Sequence, residues 1–230
     1  MIQAALIGAL AQSSLVLSGL AVYAVKVPRR FVGILAGYGA GALLGAVAFT
    51  LIPESEVLDT AESALWLLVG AAVFVIADRL VERRFGGEGG GGGAMGIVVG
   101  AVVDGVPESV IFGIQIASGQ PLSAAFLAAV FVSNIPQALA PSVDLAESGW
   151  SPVRLGGMWA IVVLACGITA GLGFFLADAI GLDGARAAAF ASGGLLAMMT
   201  NSLMPFAFER GGALAGIATV VGFAVSLGSS

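Results

Sequence analysis

The residues best suited to chemistry in this 230-residue chain lie in the stretch VVDGVPESVIFG, at positions 102–113. Asp104 and Glu108 are four residues apart, so on a helix both carboxylates share one face, with Cβ atoms ~5–6 Å apart. One charge at the centre of a bilayer costs roughly 2.5–3.5 kcal/mol on insertion scales. Two carboxylates in an apolar run therefore need a bound cation, a basic partner or protonation. No Lys or Arg stands in the middle of an apolar run, so the pair indicates the handling of a cation or a proton.

Pro107 lies between these two carboxylates. A proline inside a helix removes the N–H that would bond the carbonyl four residues earlier, which here is that of Val103. Irregular backbone at membrane depth is tolerated where it lines a cavity. One freed carbonyl and two carboxylates form an oxygen-rich half-site for a divalent cation.

A matching polar segment, FVSNIPQALAP, follows further along the chain and places Ser133, Asn134 and Gln137 around Pro136. Its SNIPQA aligns residue by residue with DGVPES of the first segment. Two neighbouring helices with matched prolines and polar faces indicate the two walls of one site. The alternative is that these polar side chains only join helices to each other.

The composition places both segments in a membrane. Hydrophobic residues make up 59% of the chain and charged residues 10%, and the mean hydropathy is +1.05. A soluble domain carries about 25% charged residues. The apolar runs are long and unbroken, unlike the alternating segments of about ten residues in a membrane β-barrel. We therefore predict an all-α polytopic membrane protein whose partner is the lipid bilayer, with no indication of nucleic acid.

Eight apolar segments, each close to the ~20 residues that cross a bilayer, are separated by charges or turn residues. They are predicted at positions 1–25, 31–52, 63–84, 94–117, 121–145, 153–178, 184–208 and 211–229, in a single transmembrane domain spanning 1–230. The glycine-rich stretch at 86–93 is predicted to be a flexible cytoplasmic loop.

The basic residues predict the orientation. Eight of the nine Lys and Arg residues lie in or beside the odd-numbered loops: Lys26, Arg29, Arg30, Arg79, Arg83, Arg84, Arg154 and Arg210. Arg186 alone lies on the other side. By the positive-inside rule the odd-numbered loops are cytoplasmic. The prediction is a multi-pass protein of the cytoplasmic membrane with both termini outside.

Two further patterns concern helix packing. GAGALLGAVAFTLIP (39–53) aligns with ASGGLLAMMTNSLMP (191–205) at a constant offset, in spans that are predicted to cross in opposite senses. Inverted-topology repeats of transporters have this arrangement, although two Gly/Ala/Leu-rich helices can also resemble each other by chance. A ladder of small residues at Gly33, Gly37, Gly41 and Gly45 indicates close helix packing, within the subunit or across a homodimer.

These motifs resemble those of the ZIP (Zrt/Irt-like) metal transporters. The fourth helix of that family carries an HNxPEG motif, and the fifth a similar HNxPEG or HExPHE motif, where this chain has DGVPES and SNIPQA. LIPES and LMPFAFE, at the ends of the second and seventh segments, also resemble helix ends of the family. The resemblance covers essentially the whole chain. It implies eight spans in a 3+2+3 arrangement with an inverted repeat, and the transport of divalent metal ions such as zinc.

The chain departs from the family at the metal site. Asp104 stands where the family has a histidine, whereas Glu108 is retained. In the fifth helix Ser133 takes the first motif position, Asn134 matches the second, and Gln137 replaces a glutamate. The sixth segment offers no acid for a second, adjacent metal site, so one modified site is expected.

The predicted ligands all coordinate through oxygen: Asp104, Glu108, Ser133, Asn134 and Gln137. Zinc favours nitrogen and sulfur ligands, whereas oxygen sites suit Mg²⁺, Ca²⁺ or Mn²⁺. We expect a ZIP-like transporter that moves Zn²⁺, Fe²⁺, Mn²⁺ or a harder cation such as Mg²⁺ or Ca²⁺ by alternating access through a mid-membrane site. The metal is cargo, and no cofactor is expected. The resemblance implies an elevator-like motion of the block that holds the fourth and fifth helices.

Two other functions stay open. The same fold could use Asp104 and Glu108 as a proton relay or carry a non-metal substrate, or it could be a non-transporting relative kept for assembly or regulation. An enzyme is not expected, because nothing resembles a nucleophile–base pair and the sequence contains no histidine.

Overall fold

The computed structural model of the chain describes residues 1–85, 94–117, 119, 122–180 and 183–229. The predicted loop at 86–93 lies outside them. Within these ranges the chain is helical and contains no strand. The helices are α1 (Ile2–Gln12), α2 (Ser14–Ala21), α3 (Arg29–Ala46), α4 (Ile52–Ser55), α5 (Thr60–Phe85), α6 (Ala94–Ala117), α7 (Ala124–Glu147), α8 (Pro152–Ile180), α9 (Gly184–Met198), α10 (Met204–Gly211) and α11 (Ala213–Ser229).

Seven helical stretches in the described part of the chain are long and apolar enough to cross a membrane. The first combines α1 and α2, the second runs from α3 through α4, and the seventh runs from α9 through α10. The other four are α5, α6, α7 and α8. The last helix, α11, is apolar but shorter, at 17 residues. The chain is therefore a multi-pass helical membrane protein, and the predicted count of eight spans depends on α11 and stays a prediction.

Each of two helical stretches contains a five-residue π-helical turn shortly before a proline. Val47–Leu51 precedes Pro53 in the second stretch, and Met199–Leu203 precedes Pro205 in the seventh. A π-helical turn inserts one residue into the helical repeat, and such turns occur frequently at functional sites. The turn at Met199–Leu203 lies beside the site described below.

Glycines bring the backbones of α3 and α11 into contact. A Cβ atom at Gly41 would lie only 1.8 Å from the carbonyl oxygen of Thr219, and one at Gly37 only 2.3 Å from that of Ala215. Side chains at these positions would push the two helices apart. The glycine ladder therefore serves packing within the chain, which was one of the two predicted roles.

The same kind of contact joins α5 to α9. A Cβ atom at Gly193 would lie 1.8 Å from the carbonyl oxygen of Leu67, and one at Gly70 would lie 1.8 Å from that of Phe190. The apolar residues on the other faces of α5 and α8 remain exposed, with Leu68 at 64% and Ile168 at 63%. Such surfaces suit a lipid environment.

Helix α6 lies at the centre of the fold, in contact with α1, α5, α7, α8 and α9. Pro107 lies inside α6, and Pro136 and Pro141 lie inside α7, yet both helices continue through their prolines. The rings of Phe112 and Phe126 join these two helices, with centroids 4.9 Å apart. The polar segments around the prolines are thereby held among several helices and away from the lipid-facing surface.

Candidate cation site

Glu108 is the most deeply buried acid of the site, at 1% exposure. Its Oε2 atom accepts a hydrogen bond from Nε2 of Gln12 at 2.8 Å. Its Oε1 atom is buried and has no hydrogen-bond partner among the described residues. A buried carboxylate oxygen without a partner is costly, so this atom marks a place where a cation or a proton would be stabilising.

Gln12 of α1 connects Glu108 to α7. Its amide nitrogen donates to Glu108, and its Oε1 accepts a hydrogen bond from Nδ2 of Asn134 at 2.8 Å. The side chain is completely buried. Because both ends of the amide are used, its orientation is set by the network, and it bridges the two predicted walls of the site. Gln12 is not among the residues predicted from the sequence, although a glutamine in the apolar run ALIGALAQ is a signal that could have identified it.

Gly105 makes room for this bridge. A Cβ atom there would lie 2.7 Å from Sγ of Cys166 on α8 and 3.5 Å from Nε2 of Gln12. A larger residue at this position would therefore displace Cys166 and crowd the amide of Gln12.

Asp104 has a different partner. Its Oδ2 atom accepts a hydrogen bond from Oγ of Ser202 at 3.1 Å. Ser202 belongs to the π-helical turn Met199–Leu203, so the seventh helical stretch holds Asp104 while α1 holds Glu108. Two acids on one helical face are thus engaged by different elements. From the sequence, Ser202 is recognised only as part of the internal alignment and not as a site residue.

A cavity of about 210 Å³ reaches Asp104. It is lined by Gly100, Ala101, Asp104, Gln137, Pro141, Trp159, Ser202, Leu203 and Phe206. Gln137 therefore faces the same space as Asp104. Glu108 is not among the lining residues, and lies one helical turn deeper along α6.

Ser133 is turned away from this network. Its hydroxyl donates to the carbonyl of Val130 at 2.9 Å. A Cβ atom at Gly39 of α3 would lie 2.7 Å from Cα of Ser133, so this part of α7 packs tightly against α3. Of the five predicted ligands, Glu108 and Asn134 share the amide of Gln12, and Asp104 and Gln137 share the cavity. Ser133 joins neither pair.

The donors available to a cation are oxygen atoms of two carboxylates, amides and a hydroxyl. Across the described ranges, no group of three or more His, Cys, Asp or Glu side chains lies together in a way that could hold a metal ion. Acidic and neutral oxygen ligands match hard cations such as Mg²⁺, Ca²⁺ or Mn²⁺.

Comparison of the chain with models of protein families gives no match, and comparison with curated proteins gives none either. We therefore infer the function from the geometry of Asp104, Glu108 and their partners.

Proposed function

We propose that the chain is a divalent-cation transporter of the ZIP type, and that Asp104 and Glu108 bind the cation near the middle of the membrane. The observation that carries the proposal is the buried Oε1 of Glu108, which has no hydrogen-bond partner among the described residues and lies one helical turn from a second carboxylate. Two carboxylates balance the charge of one divalent cation. A bound cation would offset the cost of burying both acids.

The proposed ligands favour a hard cation. Asp104 and Glu108 supply charged oxygens, and Gln137, which lines the cavity beside Asp104, can supply a neutral amide oxygen. This donor set predicts that Mn²⁺, Mg²⁺ or Ca²⁺ is preferred over Zn²⁺.

An inverted repeat is part of the proposal, and the glycine contacts support it. An offset of 152 residues relates Gly41 to Gly193, and the same offset relates Leu67 to Thr219. This offset therefore maps the contact between Gly41 and Thr219 onto the contact between Gly193 and Leu67. In both contacts, a Cβ atom on the glycine would lie 1.8 Å from the partner's carbonyl oxygen. The second helical stretch is exchanged with the seventh and α5 with α11, as a two-fold repeat requires.

A second pair of contacts obeys the same relation. A Cβ atom at Gly70 would lie 1.8 Å from the carbonyl oxygen of Phe190, and one at Gly222 would lie 2.1 Å from that of Tyr38. The offset of 152 residues relates both glycines and both partners. It also carries the first π-helical turn onto the second. Three coincidences at one offset favour a repeat over chance similarity between glycine-rich helices.

The helices fall into two groups that suit alternating access. Glycine contacts join α8 to α1 and to α6, and both involve Ala170 of α8. A Cβ atom at Gly8 of α1 would lie 2.6 Å from Cβ of Ala170, and a Cβ atom at Gly113 of α6 would lie 2.2 Å from the carbonyl oxygen of Ala170. We assign α1, α2, α6, α7 and α8 to the moving group, and the glycine-packed α3, α5, α9, α10 and α11 to the static group. The Gln12–Glu108–Asn134 network then lies within the moving group. The contact between Asp104 and Ser202 crosses between the groups, as does the packing of Ser133 on α7 against Gly39 on α3, and both would change as one group slides past the other.

The proposed topology has eight spans in a 3+2+3 arrangement, with both termini outside the cytoplasmic membrane. As the eighth span, α11 would rise ~26 Å over its 17 residues, close to the ~30 Å hydrocarbon core. The cavity at Asp104 would open to the cytoplasm, because Gly100 and Ala101 line it near the start of α6. That helix follows the predicted basic loop after α5.

The test is uptake of Zn²⁺, Fe²⁺, Mn²⁺, Co²⁺, Cd²⁺, Mg²⁺ and Ca²⁺ into proteoliposomes. We expect the wild type to move at least one of them, and we expect Asp104→Asn/Glu108→Gln to abolish that flux. Asp178→Asn, which neutralises an exposed acid on α8, is the matched control and should transport normally. A folded wild-type protein that moves no divalent cation would contradict the proposal.

A proton relay is the second candidate. The cavity contacts Asp104 but not Glu108, so Glu108 would exchange a proton with Asp104 across one helical turn. Proton flux driven by a pH gradient, without any metal and abolished in the same double variant, would favour the relay over metal transport.

A further inference from the structure

A second buried polar contact lies towards the other end of α6. Gln115 follows Glu108 by seven residues, so it lies on the same helical face, ~10 Å further along the axis. It is only 4% exposed. Its Nε2 atom lies 3.4 Å from Oε1 of Glu54, a partly buried acid on α4. Gln115 and Glu54 therefore meet between α6 and the end of the second helical stretch.

The amide oxygen of Gln115 takes no part in this contact with Glu54. Its Oε1 atom is buried and has no hydrogen-bond partner among the described residues. Gln115 and Glu54 line a small cavity of about 10 Å³ together with Leu51, Ile111 and Ile114. That volume is about enough for one water-sized occupant. A buried amide with one long hydrogen bond and one unpartnered oxygen calls for an explanation.

The geometry suits two ligands of one cation. The oxygen and nitrogen of an amide are assigned from the hydrogen-bond network, so the amide of Gln115 can be turned over with little movement. Its oxygen would then lie about 3.4 Å from Oε1 of Glu54. Two oxygens that bind one Ca²⁺ at right angles, each at ~2.4 Å, are separated by ~3.4 Å. The slightly smaller Mn²⁺ needs only a small inward shift of either side chain.

We propose that Glu54 and Gln115 form a second site for a hard divalent cation, separate from Asp104 and Glu108. Ile111 lies between Glu108 and Gln115 along α6, and it lines the small cavity together with Leu51; the two side chains are 2% and 0% exposed. The second site is therefore separated from Glu108 by the buried side chain of Ile111, and the Asp104 cavity lies on the opposite side of Glu108 along α6. That this site holds a cation transiently along a transport path rests on the proposed function, whereas its ability to bind a cation does not.

The experiment counts Mn²⁺ ions bound to the full chain in detergent, by electron paramagnetic resonance of free and bound Mn²⁺ at saturating metal. We expect two ions for the wild type, one for Glu54→Gln, and one for Asp104→Asn/Glu108→Gln. Glu56→Gln removes an exposed acid two residues from Glu54 and should leave two ions bound. Gln115→Glu adds a second carboxylate to the Glu54 site and should lower the Kd of Mn²⁺ at that site by at least about tenfold.

Some outcomes would overturn the second site. One is a wild type that binds a single ion, lost only in the Asp104/Glu108 variant, and another is a Glu54→Gln variant that still binds two. A wild type that binds none would overturn both sites. Two bound ions that respond to the variants as expected, without flux in proteoliposomes, would support the second site and contradict the transporter proposal.

Discussion

Gln12 and Glu108 lie 96 residues apart in the chain and are joined by a hydrogen bond of 2.8 Å between the amide nitrogen and Oε2. The same amide accepts a hydrogen bond from Asn134. One neutral side chain on α1 thus fixes the position of a buried acid on α6 relative to an amide on α7. The other oxygen of Glu108 has no hydrogen-bond partner within the described part of the chain.

Replacement of Gln12 should destabilise the protein. Gln12→Leu keeps the volume but leaves a buried carboxylate oxygen of Glu108 and the amide of Asn134 without partners. Each such loss costs about 1–3 kcal/mol, so we expect a loss of about 2–6 kcal/mol in unfolding free energy. The measurement is thermal unfolding in detergent. Gln3→Leu, at an exposed position on the same helix, is the control, and equal melting temperatures for the two variants would contradict the role of Gln12.

Removal of the Ser202 hydroxyl should alter cation handling more than stability. Ser202→Ala deletes the donor to Asp104, and hydrogen bonds to charged groups are worth about 1.5–3 kcal/mol at most sites. Because Asp104 also faces a cavity, we expect only about a threefold to tenfold change in the apparent KM for the transported cation. Thr200→Val is the control from the same π-helical turn, since its hydroxyl bonds carbonyls of its own helix. A similar change in both variants would argue against a specific role for Ser202.

The glycine contacts predict paired effects on stability. Gly41→Ala and Gly193→Ala each place a Cβ atom 1.8 Å from a backbone carbonyl oxygen, and overpacking of this kind typically costs about 1–3 kcal/mol. Gly216→Ala on α11 meets nothing within 4 Å and should be neutral or slightly stabilising. Thermal unfolding of the three variants checks this. A destabilisation confined to one of the two buried glycines would weaken the proposed repeat.

Labelling of introduced cysteines can test which end of the site is open. The native Cys166 is buried, so a Cys166→Ala background is suitable. We expect Gln137→Cys, in the cavity wall, to react with a membrane-impermeant maleimide added from the cytoplasmic side. Ser133→Cys should stay unreactive, because Ser133 is fully buried against α3. Labelling of Gln137→Cys only from the outside would reverse the proposed orientation.

The helical class and the pairing of Asp104 with Glu108 were accessible from the sequence. Hydropathy sums over local windows, and a spacing of four residues places two side chains on one face of any helix. Long apolar helices follow from the same local information, because backbone groups in lipid must bond within their own segment. These properties need no knowledge of which helices are neighbours.

The partners of the two acids were decided by the tertiary structure. Ser202 reaches Asp104 from 98 residues away, and Gln12 reaches Glu108 from the first helical stretch. Ser133 has the residue type and spacing of a ligand, but its hydroxyl bonds its own helix. A donor meets an acceptor across helices only when packing sets the rotation and depth of both. That packing depends here on glycine contacts between distant segments, which no local window of the sequence contains.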